Sequence, residues 1–155
     1  MAECKNIMVY VETAEGNPVK VGLEMLSPAK KLADKVTAVV IGGGVADAAK
    51  EVAKAGADQV ICVDSEDYKE FNLDAYAQVL VELVKEENPE AVFVGGTQDG
   101  KDIAPVVAAK CNTGCASDVL DIKAEDGEVI YTCPLYGGTV LEDVKIKTTP
   151  QVATL

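Results

Sequence analysis

The chain has no arginine, no histidine and no tryptophan among its 155 residues, and only two phenylalanines. Its fourteen bases are all lysines, set against 26 acids, for a net charge of −12. Without guanidinium groups it lacks the planar forks that clamp phosphates and carboxylates. Without imidazole it lacks the usual general base near neutral pH and the commonest metal ligand. The shortage of cations argues against nucleic acid as a partner, because neutralising phosphates is the main driving term there. No apolar run approaches the ~20 residues a membrane helix needs, so no membrane insertion is expected. The N-terminal MAECKNIMVYVE shows no basic segment leading into an apolar one, and the default expectation is a cytoplasmic protein. Cys, Lys, Asp and Tyr remain available for chemistry, but no catalytic residue can be named.

The five cysteines are Cys4, Cys62, Cys111, Cys115 and Cys133, an odd number that in a reducing compartment reads as free thiols. Cys111 and Cys115 are spaced C-x3-C, with no histidine and no second close pair, so no metal site is expected. A thiol redox pair there is a minor reading. Cys62 lies in an apolar strand and is expected in the core. Ser117 and Asp118 have no base to activate the serine.

What is present is 48% apolar residues in a length that suits one domain, 1–155, able to bury roughly 68–70% of its unfolded surface. Strands are expected at 5–12, 36–41, 59–63 and 91–94. Helices alternate with them. The first spans 19–34, where Pro28 either kinks it or restarts it with Ser27 as N-cap. The second runs from Val45 to Ala55 with Gly56 just past its end. The third, Leu73–Glu87, has Asn72 as cap and Pro89 as terminator. The fourth is expected to open at Asp102, with Gly100 in the loop before it and Pro105 at its third position. From Ala116 the pattern turns to strands: a hairpin 119–134 around Asp126-Gly127, a break at Gly137-Gly138, a strand 139–147, and an extended end. Alternation predicts an α/β fold with a mostly parallel sheet, and the terminal strands are expected to extend it in antiparallel fashion.

Two glycine loops follow strands. Gly42-Gly43-Gly44 suits either a tight turn or a phosphate at a helix N-terminus, but the dinucleotide spacing would put a third glycine where Asp47 stands. In Gly95–Asp102, the residues Thr97, Gly100 and Lys101 are the candidates to cradle an anion. Asp99 and Asp102 stand against that role, leaving a helix-capping surface loop or a protein contact as alternatives.

The segments GGTQDGKDIAPVVAAK (95–110), CASDV (115–119) and PLYGG (134–138), in that order, resemble the α subunit of electron transfer flavoproteins. That family typically has a Gly-(Ala/Gly)-Thr loop, a Gly-(Arg/Lys)-Asp-(Leu/Ile)-Ala-Pro helix start, a Ser/Ala-Asp strand and a Pro-x-Tyr-Gly-Gly break. VYVE (9–12), Glu24-Met25-Leu26 with Ala29, Lys31 and Leu32, and Gly56-Ala57-Asp58 also fit. Val106, Lys110 and Thr139 depart from it, since the family often has Arg, Arg and Asn there. The resemblance implies the N-terminal domain I of that subunit: a three-layer α/β sandwich similar to adenine-nucleotide hydrolase and universal-stress domains. It would act as scaffold and dock the β subunit in a heterodimer. The complex would carry electrons from a dehydrogenase to an acceptor through FAD. In this family the FAD-binding domain follows in the C-terminal half. No flavin-binding residue carries over to this sequence, so FAD is expected in the parent complex and not on this chain. The alternative is a free-standing adenine-nucleotide-binding module of the universal-stress type, which the two glycine loops motivate.

Overall fold

The computed structural model describes residues 4–155. In chain order it contains β1 (Cys4–Tyr10), β2 (Thr13–Ala14), β3 (Asn17–Pro18), α1 (Lys20–Leu32), β4 (Ala33–Gly42), α2 (Ala46–Lys54), β5 (Gln59–Asp64), α3 (Leu73–Glu87), β6 (Ala91–Val94), α4 (Gln98–Lys110), β7 (Cys115–Ala116), β8 (Asp121–Glu125), β9 (Glu128–Leu135), β10 (Val140–Val144) and β11 (Gln151–Thr154). Six strands form one parallel sheet in the order β5-β4-β1-β6-β11-β7.

Central strands of such a sheet are buried on both faces, so they are apolar at successive positions rather than at alternate ones. In β1, Ile7 and Val9 face α1 and α2, while Met8 and Tyr10 face α3 and α4. The helices present matching stripes. In α1 these are Met25, Leu26, Ala29 and Leu32; in α3 they are Tyr76, Ala77, Leu80, Val81 and Val84. The third layer is completed by a separate antiparallel sheet, β10-β9-β8. Its Val129, Tyr131 and Cys133 join the core on the α1 side. Tyr131 meets Phe93 of β6 edge-on, with centroids 6.5 Å apart, and donates to Gln151 Oε1 at 2.9 Å. Among the described residues, no helix is long and apolar enough to cross a membrane.

Asn72 caps α3 as expected, accepting from the Ala75 N–H at 3.0 Å. Four expectations need correction. The antiparallel strands do not extend the main sheet but form their own, and the chain end returns as β11 between β6 and β7. Helix α1 passes through Pro28 without restarting at Ser27. The carbonyl freed by the missing N–H belongs to Glu24, an exposed residue on the face away from the sheet, where water can satisfy it. Cys62 is exposed, not core, because β5 is an edge strand with one neighbour. The start of α4 is the fourth.

Candidate functional site

Successors of β1 run outward in opposite directions: β4 and β5 to one side, β6 and β11 to the other. The carboxyl ends of β1 and β6 therefore flank the switch point at which open α/β sheets offer a crevice to ligands. Glu12 follows β1 there, and Gly95-Gly96-Thr97 follows β6.

Thr97, with extended backbone, is the N-cap of α4, and its Oγ1 accepts from the Gly100 N–H at 3.0 Å. The helix thus opens five residues before Asp102, which is not the cap. Gly100 lies in the first turn, and Pro105 is inside the helix rather than at its third position. Glycine at position 100 misleads a propensity argument because close packing demands it. A Cβ there would stand 1.9 Å from the Gly95 carbonyl oxygen. The Thr97 hydroxyl also donates to Glu12 Oε2 at 2.5 Å, tying the two carboxyl ends together across the switch point. Lys101 Nζ lies 2.7 Å from Asp118 Oδ1 in a half-exposed ion pair. The three loop candidates are thus neighbours on one turn, and each is engaged by the chain itself.

The first glycine loop is braced in the same way. Gly44 takes a positive φ of 70°, and its N–H donates to Asp64 Oδ1 at 2.7 Å. The amide that would receive a phosphate already holds a carboxylate. Asp47, in the first turn of α2, adds a second negative charge. Between these loops lies a cleft of about 380 Å³, whose lining includes Glu12, Glu15, Gly43, Tyr68, Tyr76 and Asp99. Carboxylates dominate its charge. Glu12 is the residue that sequence reasoning passed over; an acid closing the apolar run 7–11 was its available signal.

The thiols near the end of α4 and in β7 do not make an activated pair. Burial pushes both Cys111 and Cys115 up, whereas a reactive pair needs a lowered thiol. Ser117 lies exposed beside Cys115, and the Asp118 carboxylate is engaged with Lys101. Among the described residues, no three His, Cys, Asp or Glu side chains converge as metal ligands.

Large apolar side chains also stand in solvent. Tyr136 is 85% exposed and Leu120 66%, with Leu135, Val140 and Leu141 also open. Register places Val140 opposite Leu135 and Leu141 opposite Pro134, so four of these five share the β9–β10 tip. Val119, Leu120 and Leu155 line both of two further clefts of about 270 Å³ each.

Comparison with known proteins finds the sequence model described as the electron transfer flavoprotein domain matching residues 7–155. Protein FixB of Clostridium saccharobutylicum is 36% identical over 100% of this chain and 48% of its own length. The electron transfer flavoprotein subunit alpha of Clostridium acetobutylicum is 35% identical over 99% of this chain and 48% of that protein. A third relative, the acryloyl-CoA reductase electron transfer subunit beta of Anaerotignum propionicum, is 38% identical over 90% of this chain and 46% of its own. The chain spans about half the length of the curated relatives it matches. With the family model matching nearly end to end, the chain belongs to the electron transfer flavoprotein domain family.

Proposed function

We propose that residues 1–155 are a scaffold and subunit-docking domain, equivalent to domain I of an electron transfer flavoprotein α subunit. It docks a β subunit, in the cytoplasm, within a complex that moves electrons from a dehydrogenase to an acceptor. The chain is a component of that carrier and not an enzyme in itself. The observation that carries this reading is the inward engagement of the family's signature loop. Thr97 is used by the helix cap and Glu12, Gly100 by its contact with Gly95, and Lys101 by Asp118. A loop with its polar groups so engaged serves architecture better than ligand binding.

The residues at this end do not fit the pyrophosphate of FAD. The Gly44 amide is taken by Asp64, carboxylates line the adjoining cleft, and Lys69, the lining's lysine, lies nearest Glu66 at 3.8 Å. In this proposal the flavin sits elsewhere in the complex, and no redox step is assigned to these residues. The same features disfavour a nucleotide-binding module of the universal-stress type.

The apolar β9–β10 tip supports docking, since exposed aromatic and aliphatic anchors are what interface centres use. The test mixes the chain with a β subunit and the flavin-binding half of an α subunit from a close relative, and follows assembly on a sizing column. Co-elution is expected, and Leu141→Asp should weaken it about tenfold or more while leaving the fold intact. Failure of the unaltered chain to assemble counts strongly against the reading.

A further inference from the structure

Strand β5 closes one side of the main sheet with a single neighbour, β4. The unpaired backbone groups of such an edge are a template for another strand, and proteins blunt their edges with short strands, charge or proline. Among the described residues, the other edge strands follow that rule. Strands β2, β3 and β7 are two residues each, β8 carries Lys123 in its middle, and β10 carries Glu142 and Asp143. Strand β5 reads Gln59-Val60-Ile61-Cys62-Val63-Asp64, with no charge and no proline between its ends. Both of its faces are covered, Val60 packing on the α1–α2 side of the core and Ile61 and Val63 on the α3–α4 side. Cys62 is nevertheless exposed, with its thiol free.

Register shows which backbone groups of β5 are open. The Val11 N–H donates to the Val39 carbonyl, so odd-numbered residues of β4 turn their backbone to β1 and even-numbered ones to β5. The Ser65 N–H donates to the Gly42 carbonyl in the same alternation. Gln59, Ile61 and Val63 therefore bond β4, and the N–H and C=O of Val60, Cys62 and Asp64 point to the open side. The strand is also self-complementary. A two-fold axis through Cys62 sets a second copy antiparallel, with Val60 opposite its Asp64, Ile61 opposite its Val63 and Cys62 opposite its Cys62. The three outward-facing residues then exchange backbone bonds with their counterparts, and no like charges meet. An axis through Ile61 instead sets Asp58 against Asp64 at both ends. One through Val60 runs the copy off the strand into the turn before Gln59.

We propose that β5 pairs antiparallel with β5 of a second copy of this chain, about a two-fold axis at Cys62, joining two six-stranded sheets into one. The contact is isologous, the same edge serving on both copies. The occupant is another copy rather than a basic strand of a different protein, because the interior of β5 offers no acid for a cation to meet. A net charge of −12 on each copy opposes the approach, so the contact strengthens as salt screens that charge. The β9–β10 tip takes no part, and the proposal stands whether or not the chain docks a β subunit.

Analytical ultracentrifugation of the chain from about 10 μM to about 1 mM tests this. A reversible monomer–dimer equilibrium is expected, tighter in about 0.5 M than in about 0.05 M sodium chloride. Cys62→Lys sets two ammonium groups side by side at the axis and should weaken the dimer about fivefold or more. Cys62→Ser should leave it nearly unchanged, and because the side chain stands outside the core both variants should fold. Dibromobimane, whose two bromides are displaced by two thiolates, should link Cys62 of one copy to Cys62 of the other, and should yield no linked dimer with Cys62→Ser. Leu141→Asp, at the β9–β10 tip, should dimerise as the parent does. The proposal is overturned if the chain is monomeric at about 1 mM in the higher salt, if salt loosens the dimer, or if Cys62→Lys dimerises as tightly as the parent. Loss of the dimer in Leu141→Asp and not in Cys62→Lys also overturns it and moves the contact to the tip.

Discussion

Replacing Gly100 by alanine separates helix propensity from close packing, because the two predict opposite signs. In an unstrained helix alanine is favoured over glycine by about 0.8–1.0 kcal/mol. At this site the added Cβ would stand 1.9 Å from the Gly95 carbonyl oxygen, 3.0 Å from its carbon and 3.1 Å from Thr97 Oγ1. Carbon–oxygen contacts settle near about 3.3–3.6 Å, so the first turn of α4 must retreat from the β6 loop by more than about 1 Å. The two nearest atoms, both of Gly95, are backbone, so a rotamer change cannot relieve the worst overlap. The retreat loosens the 3.0 Å bond from Gly100 N–H to Thr97 and, through Thr97, its tie to Glu12. Losing a cap costs about 1 kcal/mol, and overpacking about 1–3 kcal/mol. Set against the propensity gain, the net loss is about 1–3 kcal/mol. Urea unfolding followed by far-UV circular dichroism measures it. With a slope of about 1–3 kcal/mol/M, the midpoint should fall by about 1 M. An unchanged or raised midpoint refutes the close approach and returns Gly100 to the status of a flexible loop residue.

Two further predictions concern single contacts. Thr97→Ala should cost about 1–2 kcal/mol in the same assay, while Thr97→Ser keeps the hydroxyl and recovers most of it; equal losses would show that the methyl group, not the cap, matters. Asp58 is held below its ordinary 3.8, first by Lys30 at 2.5 Å and then by the Val36 N–H at 2.8 Å. A depressed carboxylate contributes stability that is present above the ordinary value and lost as pH falls through the lower folded value. Asp58→Asn should therefore narrow its gap to the parent as pH drops below about 3.8, and parallel stability profiles would contradict the assignment.

Local chemistry made much of the fold legible. Asn72 and the apolar spacing of 73–87 marked α3 because cap and stripe lie within one segment. Asp126-Gly127 marked the β8–β9 hairpin because two adjacent positive φ values need those residue types. Strand β11 was not legible. Its four residues carry no period of their own, and it becomes a strand only between β6 and β7, its partners far back in sequence. Both internal prolines misled for a shared reason. Pro28 and Pro105 lie on partly or fully exposed faces, where a freed carbonyl can be hydrated and the helix continues.

At the site, residue types were legible and their engagements were not. Thr97, Gly100 and Lys101 look like ligand donors along the chain, but whether a donor is free depends on groups far away. The Thr97 acceptor is Glu12, 85 residues earlier, and the Lys101 partner comes after the helix. Composition nevertheless held the deciding fact. With 26 acids against 14 lysines, a random opening at the carboxyl ends is more often lined by carboxylates than by ammonium groups. The crevice that parallel sheets offer to phosphates keeps its geometry here and reverses its charge. Asp64 takes the amide of the glycine turn and Glu12 takes the Thr97 hydroxyl, so an anion meets repulsion where the fold would otherwise receive it.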